Sequence, residues 1–361
     1  MKKIIAVTGL RGIPSIMGGV ETHCEELYPL ISDEFDVRIY ARSPYVHQKS
    51  TYKNIKIIPV WTVANKYLET ILHTFLCILR IALFERPDVL HIHAIGPGLL
   101  SPLAKILGLR VIVTHHGEDY RRGKWGFFSR NALKLGELLS LCFADRLIVV
   151  GKSLSEYLRT QYPKLANKII YIPNGCPVVG HNQDSADNDV PLTDYILAVG
   201  RLVPEKGFHD LIAAYQQSDL AHKHVKLLII GAADHHDKYS ENLKKQESED
   251  IIFLGKKDRL FVLNMLERAS LFILPSYHEG LPISALEAIS KNTRCLLSNI
   301  SPNKDIGLEP SCYFEVGNVT ALSEKLSGFS KIPFPSKDLL KKYEWSSISE
   351  SYTKVVLELV K

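Results

Sequence analysis

Two glutamates eight positions apart, Glu279 and Glu287, carry the strongest chemical signal in the chain. They lie in the stretch His278-Glu279-Gly280-Leu281-Pro282-Ile283-Ser284-Ala285-Leu286-Glu287-Ala288. The segment follows an apolar, strand-like run, 271–274, and a Pro275-Ser276 break. Proline suits the first turn of a helix, so a helix is predicted to start near Pro282. Glu279 then precedes the helix N-terminus, Glu287 lies inside the helix, and the amides of Leu281 to Ser284 point outward as an anion site. Ionised carboxylates only accept hydrogen bonds and suit sugar hydroxyls. One carboxylate before a phosphate cradle and one after it matches a nucleotide-diphospho-sugar. Taken alone, the pair fits equally well as ordinary complements to a helix dipole.

A second cluster is Val199-Gly200-Arg201-Leu202-Val203-Pro204-Glu205-Lys206-Gly207, which runs from strand to helix. It places a guanidinium, suited to bidentate phosphate binding, five residues from an ammonium. Such a pair can neutralise a leaving diphosphate where no metal motif is present. The Asp187-x-Asp189 match falls in a polar stretch and is read as chance, so neither a metal nor a cofactor is expected. Near the N-terminus, Thr8 to His23 forms a Gly-rich loop opening a helix, with Gly18-Gly19 at the helix start. It is neither a dinucleotide fingerprint nor a P-loop. It reads as a plain turn or as a loop whose backbone a phosphate or sugar can approach. His91, His93 and Thr114-His115-His116-Gly117-Glu118-Asp119 fall at strand ends, where a histidine can donate to a substrate oxygen, act as a base, or simply be structural. The His91-x-His93 spacing is read as alternating across the strand, so that one of the two faces the ligand-bearing side and a metal role is weak.

The elements that must position these groups alternate throughout. Strands are predicted at 3–9, 36–41, 55–60, 89–94, 110–115, 146–151 and 169–173, then at 195–200, 225–231, 251–254, 271–274 and 294–298. Uniformly apolar runs such as Val111-Ile112-Val113 fit a parallel sheet covered on both faces. Helical patterns fall between them, at 206–216, 237–247, 259–268 and 283–290 in the second half. The stretch 179–193 reads as a linker between a domain over 1–178 and another over 194–345, with a closing amphipathic helix over 346–361. The expected fold is α/β, with two Rossmann-like, doubly wound domains facing across a cleft and ligands at the carboxyl ends of the strands.

Composition agrees with a globular chain of 361 residues, 46% hydrophobic and 23% charged. Six scattered cysteines without a Cys-x-x-Cys pair point to a reducing cytosol, without disulfides or zinc. The run Met1 to Val7 is too short for a signal peptide and is read as the first strand. Tyr67 to Phe84 contains Glu69, His73 and Arg80 and is read as a buried or interfacial helix rather than a membrane span. Residues 1–180 hold 23 Lys/Arg against 14 Asp/Glu, a balance of +9, which leaves 21 against 25, or −4, for the remainder. A basic half suits an anionic surface, either a membrane or nucleic acid. The segment Arg121-Arg122-Gly123-Lys124-Trp125-Gly126-Phe127-Phe128 mixes cations with aromatics. That mix suits a membrane interface, base stacking, or a loop with its rings packed inward.

Together these motifs resemble the retaining glycosyltransferases of family 4, which have the GT-B fold. The matching segments are Gly18-Gly19-Val20-Glu21, His116-Gly117-Glu118-Asp119, Ile172-Pro173-Asn174-Gly175, Gly200 to Gly207, and Glu279 to Glu287. The opening Thr8 to Pro14 is similar to bacterial surface-polysaccharide transferases. The resemblance implies that Arg201 and Lys206 hold the donor diphosphate, that Glu279 binds sugar hydroxyls and Glu287 the ribose, that Gly19 contacts the donor phosphate and that His116 lies at the reacting sugar. Gly18, Asn174, Gly200, Gly231 and the turn Gly280-Leu281-Pro282-Ile283 would complete the donor site. Arg121, Arg122, Lys124, Trp125, Phe127 and Phe128 would meet the membrane or the acceptor. The final helix would return to the N-terminal domain, which takes the acceptor. Two departures stand out: Gly280-Leu281-Pro282-Ile283 replaces the common Gly-Phe-Gly-Leu, and Gly231-Ala232-Ala233-Asp234 replaces Gly-x-Gly.

The implied activity is transfer of a sugar from a nucleotide-diphospho-sugar to a lipid-linked or growing glycan acceptor, without metal and without nucleic acid. The protein would be cytoplasmic, held peripherally at the inner face of the cytoplasmic membrane. Rival readings are a nucleotide-sugar epimerase of the same architecture and a non-catalytic membrane or glycan-binding protein.

Overall fold

The computed structural model describes residues 2–63, 65, 68–121, 123, 125–176, 194–233 and 237–361. The 179–193 linker, with its Asp187-x-Asp189 match, and Arg122 and Lys124 lie outside the described residues. The chain divides into two compact units. One comprises Met1–Gly175 with Trp345–Lys361, the other Cys176–Glu344.

In chain order, the first unit contains β1 (Lys3–Thr8), α1 (Gly19–Ile31), β2 (Phe35–Arg42), β3 (Ser50–Tyr52), β4 (Ile55–Val60), α2 (Glu69–Arg80), β5 (Val89–His93), α3 (Ile95–Gly98), α4 (Ser101–Ile106), β6 (Val111–His115), α5 (Phe127–Phe143), β7 (Arg146–Val149), α6 (Lys152–Gln161) and β8 (Ile169–Tyr171). The second contains β9 (Tyr195–Val199), α7 (Phe208–Gln217), β10 (Lys226–Ile230), α8 (Lys238–Lys244), β11 (Ile251–Gly255), α9 (Arg259–Arg268), β12 (Leu271–Leu274), α10 (Ile283–Ser290), β13 (Cys295–Ser298), α11 (Ser301–Lys304), β14 (Tyr313–Phe314), α12 (Val319–Ser327) and α13 (Lys337–Lys342). Last comes α14 (Trp345–Val360), which belongs to the first unit.

The first sheet has the order β3-β4-β2-β1-β5-β6-β7-β8, parallel except for the β3–β4 pair. Its two faces follow the two-residue period of a strand. Ile5, Val7, Val37 and Ile39 pack against Leu27, Tyr28, Ile348 and Tyr352 of α1 and α14. Ala6, Leu90, Ile92 and Val113 pack against Cys77, Ile78, Leu141 and Leu158 of α2, α5 and α6. The same period places His91 and His93 on one face of β5, both completely buried. This corrects the expectation of opposite faces, because residues two apart in a strand point the same way.

The second sheet is wholly parallel, in the order β11-β10-β9-β12-β13-β14. Its core joins Ile196, Leu227, Leu271 and Leu296 to Phe208, Leu211 and Tyr215 of α7. Helix α7 begins two residues later than predicted. Pro204–Lys206 forms a 3-10 turn, and Gly207 breaks it with φ of 67°. Beyond α2, Ile81–Glu85 continues as a π-helix. Among the described residues no helix is long and apolar enough to cross a membrane. All six cysteines are unpaired.

Candidate active site

In the second unit the expected site residues gather at the carboxyl ends of neighbouring strands. Arg201 and Lys206 follow β9, Gly231 follows β10, and Glu279 follows β12, and β9 lies between the other two. The connecting loops are tied together. The Tyr277 amide donates to the Glu205 carbonyl at 2.9 Å, and the Leu202 amide to the Ala232 carbonyl at 3.1 Å. This holds the Lys206 Nζ 2.5 Å from Glu279 Oε1, with the Ser276 hydroxyl donating to the same oxygen at 2.6 Å. Burial pushes the Glu279 carboxyl up, but the Lys206 charge, its hydrogen bond and the Ser276 hydroxyl outweigh that and hold it below its ordinary value. The result is an ionised acid beside a cation at the rim of a sheet, in front of a helix.

That helix is α10. Pro282 is its N-cap, and Glu287 lies within it, buried. Glu287 accepts a hydrogen bond from Nε of Arg259 at 2.9 Å. Arg259 opens α9, whose N-cap Asp258 accepts from the Phe261 amide. Nothing in the sequence marks Arg259, or Ser276 beyond its place in a strand-ending break, as a partner of these acids. Two acids are thus each held by a cation, Glu279 by Lys206 and Glu287 by Arg259.

Gly231 has a backbone reason to be glycine. Its φ is 146°, and a Cβ there would lie 1.8 Å from the Gly200 carbonyl oxygen. The two glycines let the ends of β9 and β10 meet.

In the first unit the Gly-rich loop is clasped by its own charges. Glu21 accepts from the Arg11 amide at 3.0 Å and from Arg11 Nε at 3.1 Å, and Arg11 also donates to the Met17 carbonyl. Gly18, at φ 154°, leaves room for this clasp, since a Cβ would meet Glu21 Oε2 at 2.1 Å. Gly19 differs, because nothing lies within 4 Å of where its Cβ would be.

Behind the loop lies a buried network that sequence reasoning saw only in part. The Tyr28 hydroxyl is 2.7 Å from His91 Nδ1 and 2.7 Å from His93 Nε2. The Tyr352 hydroxyl is 2.8 Å from the same His91 nitrogen, whose partner Nε2 is 2.7 Å from Thr114 Oγ1. His93 Nδ1 stands 2.9 Å from His116 Nε2, and His23 Nδ1 donates to Asn174 Oδ1 at 2.9 Å. Burial, reinforced by the neighbouring rings, holds His91, His93 and His116 far below the usual histidine value, and burial takes His23 to about 4 against a smaller opposing contribution from Asn174. His91, His93 and His116 therefore form one chain of neutral imidazoles that ends at the half-buried His116, with the neutral His23 packed edge-on against His93 and His116. Beside it, His115 accepts from the Gly117 amide through Nδ1, so Nε2 carries the proton it donates to Glu137 at 2.8 Å.

Of the expected membrane or acceptor residues, Phe127 and Phe128 at the start of α5 are 75% and 87% exposed, and Arg121 pairs with Glu118 at 3.0 Å. Trp125 is half-buried.

Residues 183–343 match the family described as Glycosyl transferases group 1, and residues 17–178 match Glycosyltransferase Family 4. A glycosyltransferase of Methanocaldococcus jannaschii is 25% identical over 365 residues, covering 96% of this chain and 97% of that protein. The UDP-Gal:alpha-D-GlcNAc-diphosphoundecaprenol alpha-1,3-galactosyltransferase of Escherichia coli is 23% identical, covering 83% and 80%. Among solved structures, the sucrose-phosphate synthase of Thermosynechococcus elongatus superposes with a TM-score of 0.82 at 17% identity, covering 99% of each chain. HepE of Anabaena, solved with UDP and glucose, superposes with a TM-score of 0.76 at 14% identity, covering 99% of each chain.

Proposed function

The chain is a group 1 glycosyltransferase of GT-B fold, and from that premise we propose that it moves a sugar from a nucleotide-diphospho-sugar to a lipid-linked or growing glycan acceptor, keeping the anomeric configuration, in surface-polysaccharide synthesis. The observation that carries this reading is the Lys206–Glu279 contact in front of α10, at the strand ends that also carry Arg201. A cation there can take the charge of a leaving diphosphate, and a fixed carboxylate can accept from sugar hydroxyls. The anomeric carbon–oxygen bond to the diphosphate breaks, the acceptor oxygen bonds on the same face, and the acceptor proton passes to a diphosphate oxygen. Arg201 and Lys206 supply the charge stabilisation that a metal ion gives elsewhere, so the donor needs no divalent cation. His116, half-buried at the end of its neutral chain, contacts the reacting sugar, and Glu287 binds the ribose.

The lipid-linked acceptor draws support from two sources. The E. coli relative is named for a diphosphoundecaprenol substrate. In this chain, Phe127 and Phe128 stand exposed at the start of α5, within the residues 1–180 that carry a balance of +9. Such a face suits peripheral contact with the inner, cytoplasmic side of an anionic membrane. A thermal-shift screen of UDP, GDP, dTDP and ADP tests the donor site. One of them should raise Tm, since ligand at a hundred times Kd adds about 2.7 kcal/mol. The sugar form of that nucleotide, incubated alone, should be hydrolysed slowly at most. Accumulation of an isomerised sugar would instead identify an epimerase.

A further inference from the structure

The three histidines that close the buried network in the first unit are arranged like ligands. His23 comes from α1, His93 from the end of β5 and His116 from the turn after β6. One ring nitrogen of each lies within 4.8 Å of the other two. The ring centroids form a near-equilateral triangle, 5.0 Å from His23 to His116, 5.5 Å from His23 to His93 and 5.2 Å from His93 to His116. A tetrahedral ion with metal–nitrogen bonds of about 2.0–2.1 Å sets its imidazole centroids about 5.2 Å apart and its ligating nitrogens about 3.3 Å apart. The ring centroids already stand at that spacing. His93 and His116, with nitrogens 2.9 Å apart, need to separate by only a few tenths of an ångström.

The surroundings also fit. Metal-bound histidines are oriented by a partner on the other ring nitrogen. His23 donates through Nδ1 to Asn174, which leaves the lone pair on Nε2, and His93 has the Tyr28 hydroxyl on Nε2, which leaves Nδ1 facing His116.

We propose that His23, His93 and His116 form a three-imidazole site for a late first-row divalent ion of the zinc class, with its fourth position on the half-buried side of His116. Three imidazoles without a carboxylate select zinc, cobalt, nickel or copper over magnesium, calcium or manganese. The ion would take His116 through Nε2 and leave its Nδ1 for the sugar of the proposed function, so the metal site shares that one residue with it. Binding is balanced in protons. Each neutral ring keeps its one proton: whichever ring holds the proton between His93 Nδ1 and His116 Nε2 passes it to its own far nitrogen, so that His93 Nε2 and His116 Nδ1 both carry protons in the bound state. His93 then donates to the Tyr28 oxygen, and the Tyr28 proton turns towards His91 Nδ1 or the Tyr352 oxygen.

The test uses the full chain, stripped with a chelator and titrated with cobalt(II). The expected result is one cobalt per chain, with the visible absorption of a four-coordinate ion, displaced by zinc. His23→Ala and His93→Asn should weaken binding at least tenfold in protein shown folded by circular dichroism. The exposed His222→Ala should leave binding unchanged. His116→Ala, on the half-buried turn, carries the same expectation should a core variant not fold. The proposal is overturned by absence of stoichiometric binding, by binding that survives all three site variants, or by a thiolate-to-cobalt absorption band, which would place the ion on cysteine.

Discussion

Lys206→Met removes the cation 2.5 Å from Glu279 while keeping most of the side chain's bulk. The two side chains are only 16% and 10% exposed, so little water can replace the lost partner. Removing one member of a buried ion pair costs about 3–5 kcal/mol. Because this pair lies at a rim, and Ser276 still donates to Glu279, about 3 kcal/mol is expected at pH 7. The pH dependence should change sign. In the wild type the Glu279 carboxyl is depressed below its ordinary 4.5, so its contribution is complete above that pH and is lost as pH falls through the folded-state value. In the variant, burial stands against little more than Ser276 and raises the carboxyl above its ordinary value. Its contribution then destabilises at neutral pH and is relieved as pH falls towards 4.5. Adding Glu279→Gln removes the stranded charge and should restore at least half of the lost stability. Turnover should behave differently. Each variant should transfer sugar about a hundredfold or more slowly, and the double variant should not recover, because the charge facing the diphosphate is still missing. The assay pairs urea unfolding at pH 7 and pH 5 with nucleotide release measured where every variant is folded. Near-normal turnover in Lys206→Met, or recovery in the double variant, would falsify the assignment and leave Lys206 as a structural counter-ion to Glu279.

Three further expectations separate packing roles from binding roles. Gly231→Ala should cost more than about 3 kcal/mol or prevent folding, because its Cβ would collide with the Gly200 carbonyl, whereas Gly19→Ala should melt within a few degrees of the wild type and raise the KM for the donor. A wild-type KM in Gly19→Ala would remove that glycine from the donor site. Tyr28→Phe deletes a hydroxyl shared by two buried imidazoles and should lower stability by about 1–3 kcal/mol, read by urea unfolding; an unchanged midpoint would mean the network contributes nothing. Phe127→Ser with Phe128→Ser should reduce co-sedimentation with anionic vesicles at least tenfold at constant Tm, because both rings face solvent, and undiminished vesicle binding would place the membrane contact elsewhere.

What could be read from the sequence, and what could not, divides by range. Parallel strands buried on both faces appear as unbroken apolar runs, so β6, β7 and β10 are visible in the residues themselves. The edge strands β3 and β14 span three and two residues, too few to show any period. The start of α7 shifts because Gly207 adopts a left-handed conformation, which its residue type permits but does not require. The site follows the same rule. Lys206 and Glu279 are each marked by a loop at a strand end, and strand adjacency brings those loops together. Arg259 carries no such mark. It reaches Glu287 from 28 residues away, because α9 is the crossover from the edge strand β11 back to β12 and so comes to lie beside α10, which follows β12. The histidines show the opposite case. The two-residue strand period already places His91 and His93 on one face, but their partners Tyr28 and Tyr352 lie 63 and 261 residues from His91 in sequence. A buried imidazole needs a partner for each ring nitrogen, so two buried histidines in a strand imply an elaborate polar core before any partner is known. Helix α14 meets part of that requirement. Its Tyr352 supplies a hydroxyl to His91, and the return of the C-terminus to the first sheet completes hydrogen bonds in the core as well as covering apolar surface.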